Sequence, residues 1–144
     1  MAKIEDNAAV NDNDRKKEYL RGYRKHGRRI SRIEAELEEI RSMKMHPSVN
    51  NDGMPHGSGQ SDLSDYAAEL TSLEEDLYHE GVKQVESYKN ISWKINQLED
   101  ENERDVLFYR YVKAKSWWEI AELMGYSERW ITELHGRALS HLKI

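Results

Sequence analysis

From Arg15 onward the apolar side chains fall at Tyr19, Tyr23, Ile30, Ile33, Leu37 and Ile40, with His26 keeping the register between them. The spacing alternates four and three, which is the seam of a coiled coil. It predicts a helix over residues 15–45, roughly 45 Å long at ~1.5 Å per residue. A stripe so narrow needs a partner helix. Residues 1–14 (MAKIEDNAAVNDND) show no period and are expected to be a disordered tail. His46-Pro47 ends the helix, and PSVNNDGMPHGSGQS, with both prolines and three glycines, predicts a flexible loop over about 46–61. Ser61 or Asp62 then caps a second helix, running to about residue 99. Its seam reads Leu63, Tyr66, Leu70, Leu73 and Leu77, slips near Gly81, and resumes through Val82, Val85, Tyr88, Ile91, Ile95 and Leu98. Gly81 costs about 1 kcal/mol relative to alanine inside a helix, so a kink or a close crossing is expected there. The two helices are expected to fold back antiparallel. The first would cover mainly one half of the second, leaving the other half for the last domain or for another copy.

The pattern changes at Glu101. The stretch NERDVLFYRYVKAKSWWEIAELMGYSERWITELHGRALSHL breaks into short helical pieces with start and stop signals in register. Ser116 precedes WWEIAELM with Glu119 three residues on, a capping box, and Ser127 precedes ERWITELHGRAL. Gly125 lies four residues after Ala121, where a turn takes the positive φ that side chains resist. A small residue at Ala121 allows two helices to approach closely. Ile120, Met124, Ile131 and Leu134 would close a small core around it. This is a helix-turn-helix, and residues 100–144 are expected to form a trihelical domain behind the hairpin of residues 15–99. The fold class is therefore all-α.

On the motifs ERDVLFYRY, SWWEIAELMGYS and ERWITELHGRAL the chain resembles region 4 of sigma-70 factors. It is more closely similar to the sigma-like regulators of phages and prophages of Gram-positive bacteria, the ArpU/RinA type. The upstream helices KEYLRGYRKHGRRISRIEAELEEIRSM and SDLSDYAAELTSLEEDL look, more loosely, like that family's leading helices. The resemblance implies binding of double-stranded promoter DNA to control late genes, contact with RNA polymerase, and no catalytic activity. It places the helix from Glu128 in the major groove.

Charge complicates that picture. The outward positions of the last helix are Ser127, Glu128, Arg129, Thr132, Glu133 and Arg137, and two of the six are acids. An acid is repelled by phosphate, although it can accept a hydrogen bond from cytosine. Arg129 and Glu133 stand one turn apart and can neutralise each other. Arg129 and Arg137 are the candidates for strong contacts, because a guanidinium grips guanine or phosphate in two places. The competing reading is a solvated face on a domain that binds protein instead. Net charge is −5, yet residues 15–32 hold nine bases against one acid, while residues 101–144 balance seven against seven. A strong electrostatic grip on DNA would thus require the N-terminal helix or oligomerisation. The plainer reading of that basic run is the solvated outer face of a coiled coil, next to Glu34, Glu36, Glu38 and Glu39.

Further chemistry is sparse. Without cysteine there is no disulfide or thiolate zinc site. The six histidines are dispersed, so no metal site is expected, and no cofactor or nucleotide motif occurs. Trp117, Trp118 and Trp130 are expected to pack, at least one against Phe108 or Tyr111, rather than to stack on bases. No apolar run spans a membrane and no signal region is evident, which predicts a cytoplasmic protein of a bacterial or phage-infected cell. The unsatisfied seam predicts a homodimer or higher homo-oligomer through the hairpin. Two other functions fit the same fold: a phage small terminase-like DNA-packaging subunit, and a protein-interaction module that binds no DNA.

Overall fold

The computed structural model describes the backbone of residues 2–45 and 59–144, and side chains within 12–43 and 63–144. Helices α1 (Ala2–Met45) and α2 (Gly59–Asn96) are followed by three short ones. These are α3 (Glu101–Leu107), extended by a π-helical turn (Phe108–Val112), then α4 (Trp117–Met124) and α5 (Glu128–His141). No strand occurs among the described residues. The loop expected over 46–61 falls mostly outside them.

Helix α1 begins at Ala2, so the segment expected as a disordered tail is helical from there on. Adding a residue to an existing helix is far easier than nucleating one, and residues 2–14 contain neither proline nor glycine. Asp12 adds side-chain support, meeting Arg15 at 2.9 Å and Lys16 at 3.3 Å one turn ahead.

Contacts divide the chain into two compact units, one spanning His26–Lys83 and the other holding residues up to Lys25 and from Gln84 onward. In the first, the helices run antiparallel. Ile33 and Leu37 are buried on α1, and Arg41 reaches Glu74 at 3.4 Å. Glu80 is buried and takes contacts from His26 Nδ1 at 2.8 Å and Arg29 at 3.3 Å. The bond with His26 is the largest influence holding its carboxyl below the ordinary value, against desolvation.

This arrangement corrects the predicted slip at Gly81. The inward row of α2 continues without interruption from Leu73 and Leu77 through Glu80, Gln84 and Ser87 to Ile91 and Ile95, and Leu98 just beyond the helix is buried as well. Val82, Val85 and Tyr88, expected in the seam, are exposed. A polar residue holds a seam position wherever the opposite helix supplies its partner, as His26 and Arg29 do for Glu80. Nor is there a close crossing at Gly81: a Cβ there would meet nothing within 4 Å among the described residues.

The second unit joins parts of the chain that the sequence boundary at residue 100 would separate. Leu20 of α1, Ile91 and Ile95 of α2 and Leu98 just after it share one core with Val106, Leu107, Ile120, Ile131, Leu134 and Leu142. Helix α1 thus also lies along the C-terminal half of α2, contrary to the expected half coverage. Tyr23 packs on Tyr88 with ring centres 5.8 Å apart, and the Lys94 ammonium sits 4.3 Å above the Tyr19 ring. Lys16 Nζ donates to the Leu139 carbonyl at 2.7 Å in a buried bond. That carbonyl is one of the last four of α5, which have no partner inside the helix. The ammonium also complements the negative end of the α5 dipole.

Candidate nucleic-acid interface

Local chemistry builds the helix-turn-helix. Asp100 caps α3, its carboxylate accepting from the Asn102 N–H at 2.9 Å. The π-helical turn follows, and the chain leaves it through Ala114, whose φ of 61° is unusual for a residue bearing a Cβ. Lys115 N–H donates to the Tyr109 carbonyl at 2.9 Å across this stop. Ser116 then caps α4 with the complete predicted box: its Oγ accepts from the Glu119 N–H at 3.2 Å and the Glu119 carboxylate takes the Ser116 N–H. Gly125, at φ 74°, closes α4 in the left-handed conformation, and both Gly125 and Tyr126 donate to the Ala121 carbonyl. Ser127 caps α5 through a bond from the Trp130 N–H at 3.1 Å. Ile120, Ala121, Ile131 and Leu134 are buried between the two helices, with Met124 packed against them. His141 Nδ1 lies 2.9 Å from both carboxylate oxygens of buried Glu103, tying α5 to α3.

All six outward residues expected on α5 are exposed and lie at or beyond its first turns. Arg129, 91% exposed at its side chain, stands 3.7 Å from Glu133 in the expected intrahelical pair. Such an exposed pair is worth little and opens readily to a better partner. Thr132 donates its hydroxyl to the Glu128 carbonyl at 2.6 Å, leaving its oxygen lone pairs available. The Arg137 guanidinium lies 5.1 Å from the centre of the Trp130 ring, which in turn packs edge-on against Tyr126.

The tryptophans divide. Trp117 is partly buried and packs on the core cluster that includes Tyr111, with His135 edge-on at 4.7 Å and the Arg110 guanidinium at 4.1 Å. Trp118 is 62% exposed, which overturns the expectation that it packs: two adjacent residues on a helix cannot both face one small core.

Behind the outer face of α5, His135 is buried, with Nε2 2.7 Å from the Tyr111 hydroxyl. Burial first, and then the nearby cations Lys17, Arg110 and Arg21, push the imidazole down to about 4. Burial likewise raises the Tyr111 phenol. Above this pair opens a cleft of about 410 Å³, lined by Lys17, Arg21, Arg24 and Arg110 together with Thr132 and Trp117, among others. The basic run of α1 was visible in the sequence as a run. Its meeting with Arg110 was not, because nothing in the spacing says that α1 reaches the last domain.

Residues 97–143 match the family model for sigma-70, region 4, which covers α3 to α5. That segment is a sigma-70 region 4-like helix-turn-helix, a kind of domain that binds DNA and carries no catalytic function. No curated protein and no solved structure gives a significant match to the chain. Among the described residues no cluster of histidines and carboxylates has metal-binding geometry, and no helix is long and apolar enough to cross a membrane.

Proposed function

We propose that this chain is a sequence-specific transcription regulator of the ArpU/RinA type, acting on phage or prophage late genes in the bacterial cytoplasm. It would lay α5 in the major groove of promoter DNA. The observation that carries this reading is the region 4 match over a domain whose α5 face, from Ser127 to Arg137, stands open to solvent. Arg129 and Arg137 would take the strong contacts and Ser127 and Thr132 the lesser ones. Glu128 and Glu133 would exclude wrong bases or accept from cytosine. Contact with RNA polymerase belongs to the same reading, because region 4 is a sigma-factor element. Self-association through the hairpin is supported by Val85, Tyr88 and Trp93, which lie exposed on α2.

One observation favours a second reading. Arg129 is paired with Glu133 and Glu128 stands beside them, which leaves the start of α5 with one cation against two acids, as suits a protein-binding face better than a phosphate-binding one. A titration against DNA fragments from the encoding genome decides between them. Tight binding to one intergenic fragment, with the preference lost in Arg129→Ala, supports the regulator. Weak binding to all fragments, unchanged by that substitution, supports the protein-interaction module. A mass by light scattering of two chains supports the regulator, whereas eight or more would indicate a packaging ring.

A further inference from the structure

The cleft beside α5 is one-sided in composition. Four cations line it, three from one face of α1 and one from the middle of the π-helical turn, and no carboxylate is among its lining residues. Lys17, Arg21 and Arg24 follow one another at spacings of four and three, so a single helix face presents them together. Their partners are weak. Lys17 lies 3.8 Å from exposed Asp14 and Arg21 lies 3.7 Å from exposed Glu18, while Arg24 has no ion pair among the described residues. Arg110 is held by its stack on Trp117 and a 3.1 Å bond to the Lys115 carbonyl, neither of which neutralises its charge. Like charges gathered this way repel one another unless an anion relieves them.

We infer that Lys17, Arg21, Arg24 and Arg110 form a seat for the phosphodiester backbone of the same DNA whose groove α5 reads. The inference rests on the proposed function. Position selects the ligand: Thr132 lines the cleft and also belongs to the outer row of α5, so an anion held there lies against the groove-reading face. His135, which also lines the cleft, is held neutral by its burial and then by Lys17, Arg110 and Arg21, so it adds no charge of its own at neutral pH. The seat supplies affinity without sequence information, which the balanced face of α5 lacks.

The test uses the full chain and duplex DNA fragments at a series of salt concentrations, comparing the wild type with the double variant Arg21→Ala/Arg24→Ala. Both side chains are exposed, and retained helicity by circular dichroism confirms that the variant folds. The expected result is a loss of about tenfold in affinity on every fragment, with the slope of log K against log salt reduced by about two and the ranking of fragments unchanged. Wild-type affinity and slope in the double variant would overturn the phosphate seat and leave the groove reading standing. A reduced slope on fragments that are all bound alike would retain the seat and overturn sequence-specific reading. No DNA binding by the wild type at low salt would overturn both.

Discussion

Two surfaces of the second compact unit lie side by side and differ in kind. The outer face of α5 sets Arg129 and Arg137 among Glu128 and Glu133, so its formal charges balance, with Arg129 paired to Glu133. The face of α1 carrying Lys17, Arg21 and Arg24 gathers with Arg110 above a cleft lined by no acid. A balanced face discriminates, because each wrong partner leaves a charge or a hydrogen-bond donor unmatched. A one-sided face attracts any polyanion. In the proposed function the two properties would be divided between a helix inside the matched segment and one outside it.

The most damaging way to break the comparison is to detach α1. Leu20 is fully buried among Ile91, Ile95 and the region 4-like core, and Leu20→Ala is expected to cost about 2–5 kcal/mol in urea denaturation. Tryptophan fluorescence and the helicity of this unit should be lost together, since Trp117 and the part of α1 up to Lys25 belong to it. A cost under about 1 kcal/mol would mean that the two faces are not built on a common core.

Acid probes the same joint next. Unfolded, His135 takes up a proton as pH falls through its ordinary value of 6.5, whereas folded it resists until about 4. The unfolded chain therefore binds more protons across that window, and stability falls as pH drops from 6.5 to 4. The loss from this ring should approach roughly 3 kcal/mol by pH 4, with no contribution above 6.5. His135→Gln, which can still bond to Tyr111, should flatten the dependence between those limits. An unchanged slope would place the proton uptake elsewhere.

Arg129→Ala sharpens the division of labour. It should remove about 1–3 kcal/mol of discrimination between preferred and other DNA, with little change in salt slope. A loss of slope without a loss of discrimination would reverse the roles given to the two faces. The smallest effect concerns Gly136, which lies in α5 where a Cβ would meet nothing within 4 Å. Gly136→Ala should stabilise the protein by about 0.5–1 kcal/mol in thermal unfolding. If DNA affinity falls in the same variant, the nucleic acid approaches the backbone of α5 at that point.

The sequence was most informative where structure is decided within a few residues. Ser116 with Glu119, Ala121, Gly125 and Ser127 each act through local bonds or local conformation, and all behave in the structure as their spacing predicts. The seam of α1 was legible at Ile33 and Leu37, but fully buried Leu20 lies one residue off the predicted row. What escaped depends on partners distant in sequence. Glu80 holds a core position only because His26 and Arg29 lie opposite, so a rule that places apolar residues inside chose Val82 instead. The π-helical turn and the positive φ of Ala114 carry no glycine to announce them. The cationic cleft depended on knowing that residues 17–24 meet residue 110. The α5 face was legible as a set of exposed positions. Its function rests on the DNA measurements.

The bond from Lys16 to the Leu139 carbonyl bears on how the protein is made. Its two ends lie 123 residues apart, so at ~5–20 residues per second a ribosome needs about 6–25 s between them. During that interval Leu20 and its neighbours have no completed core to enter, and the basic face of α1 is available to any polyanion nearby, ribosomal RNA included. The region 4-like segment is equally incomplete without α1. Excised as residues 97–143, it would expose the surface that Leu20, Ile91 and Ile95 cover, so it is a component of this protein rather than a portable module.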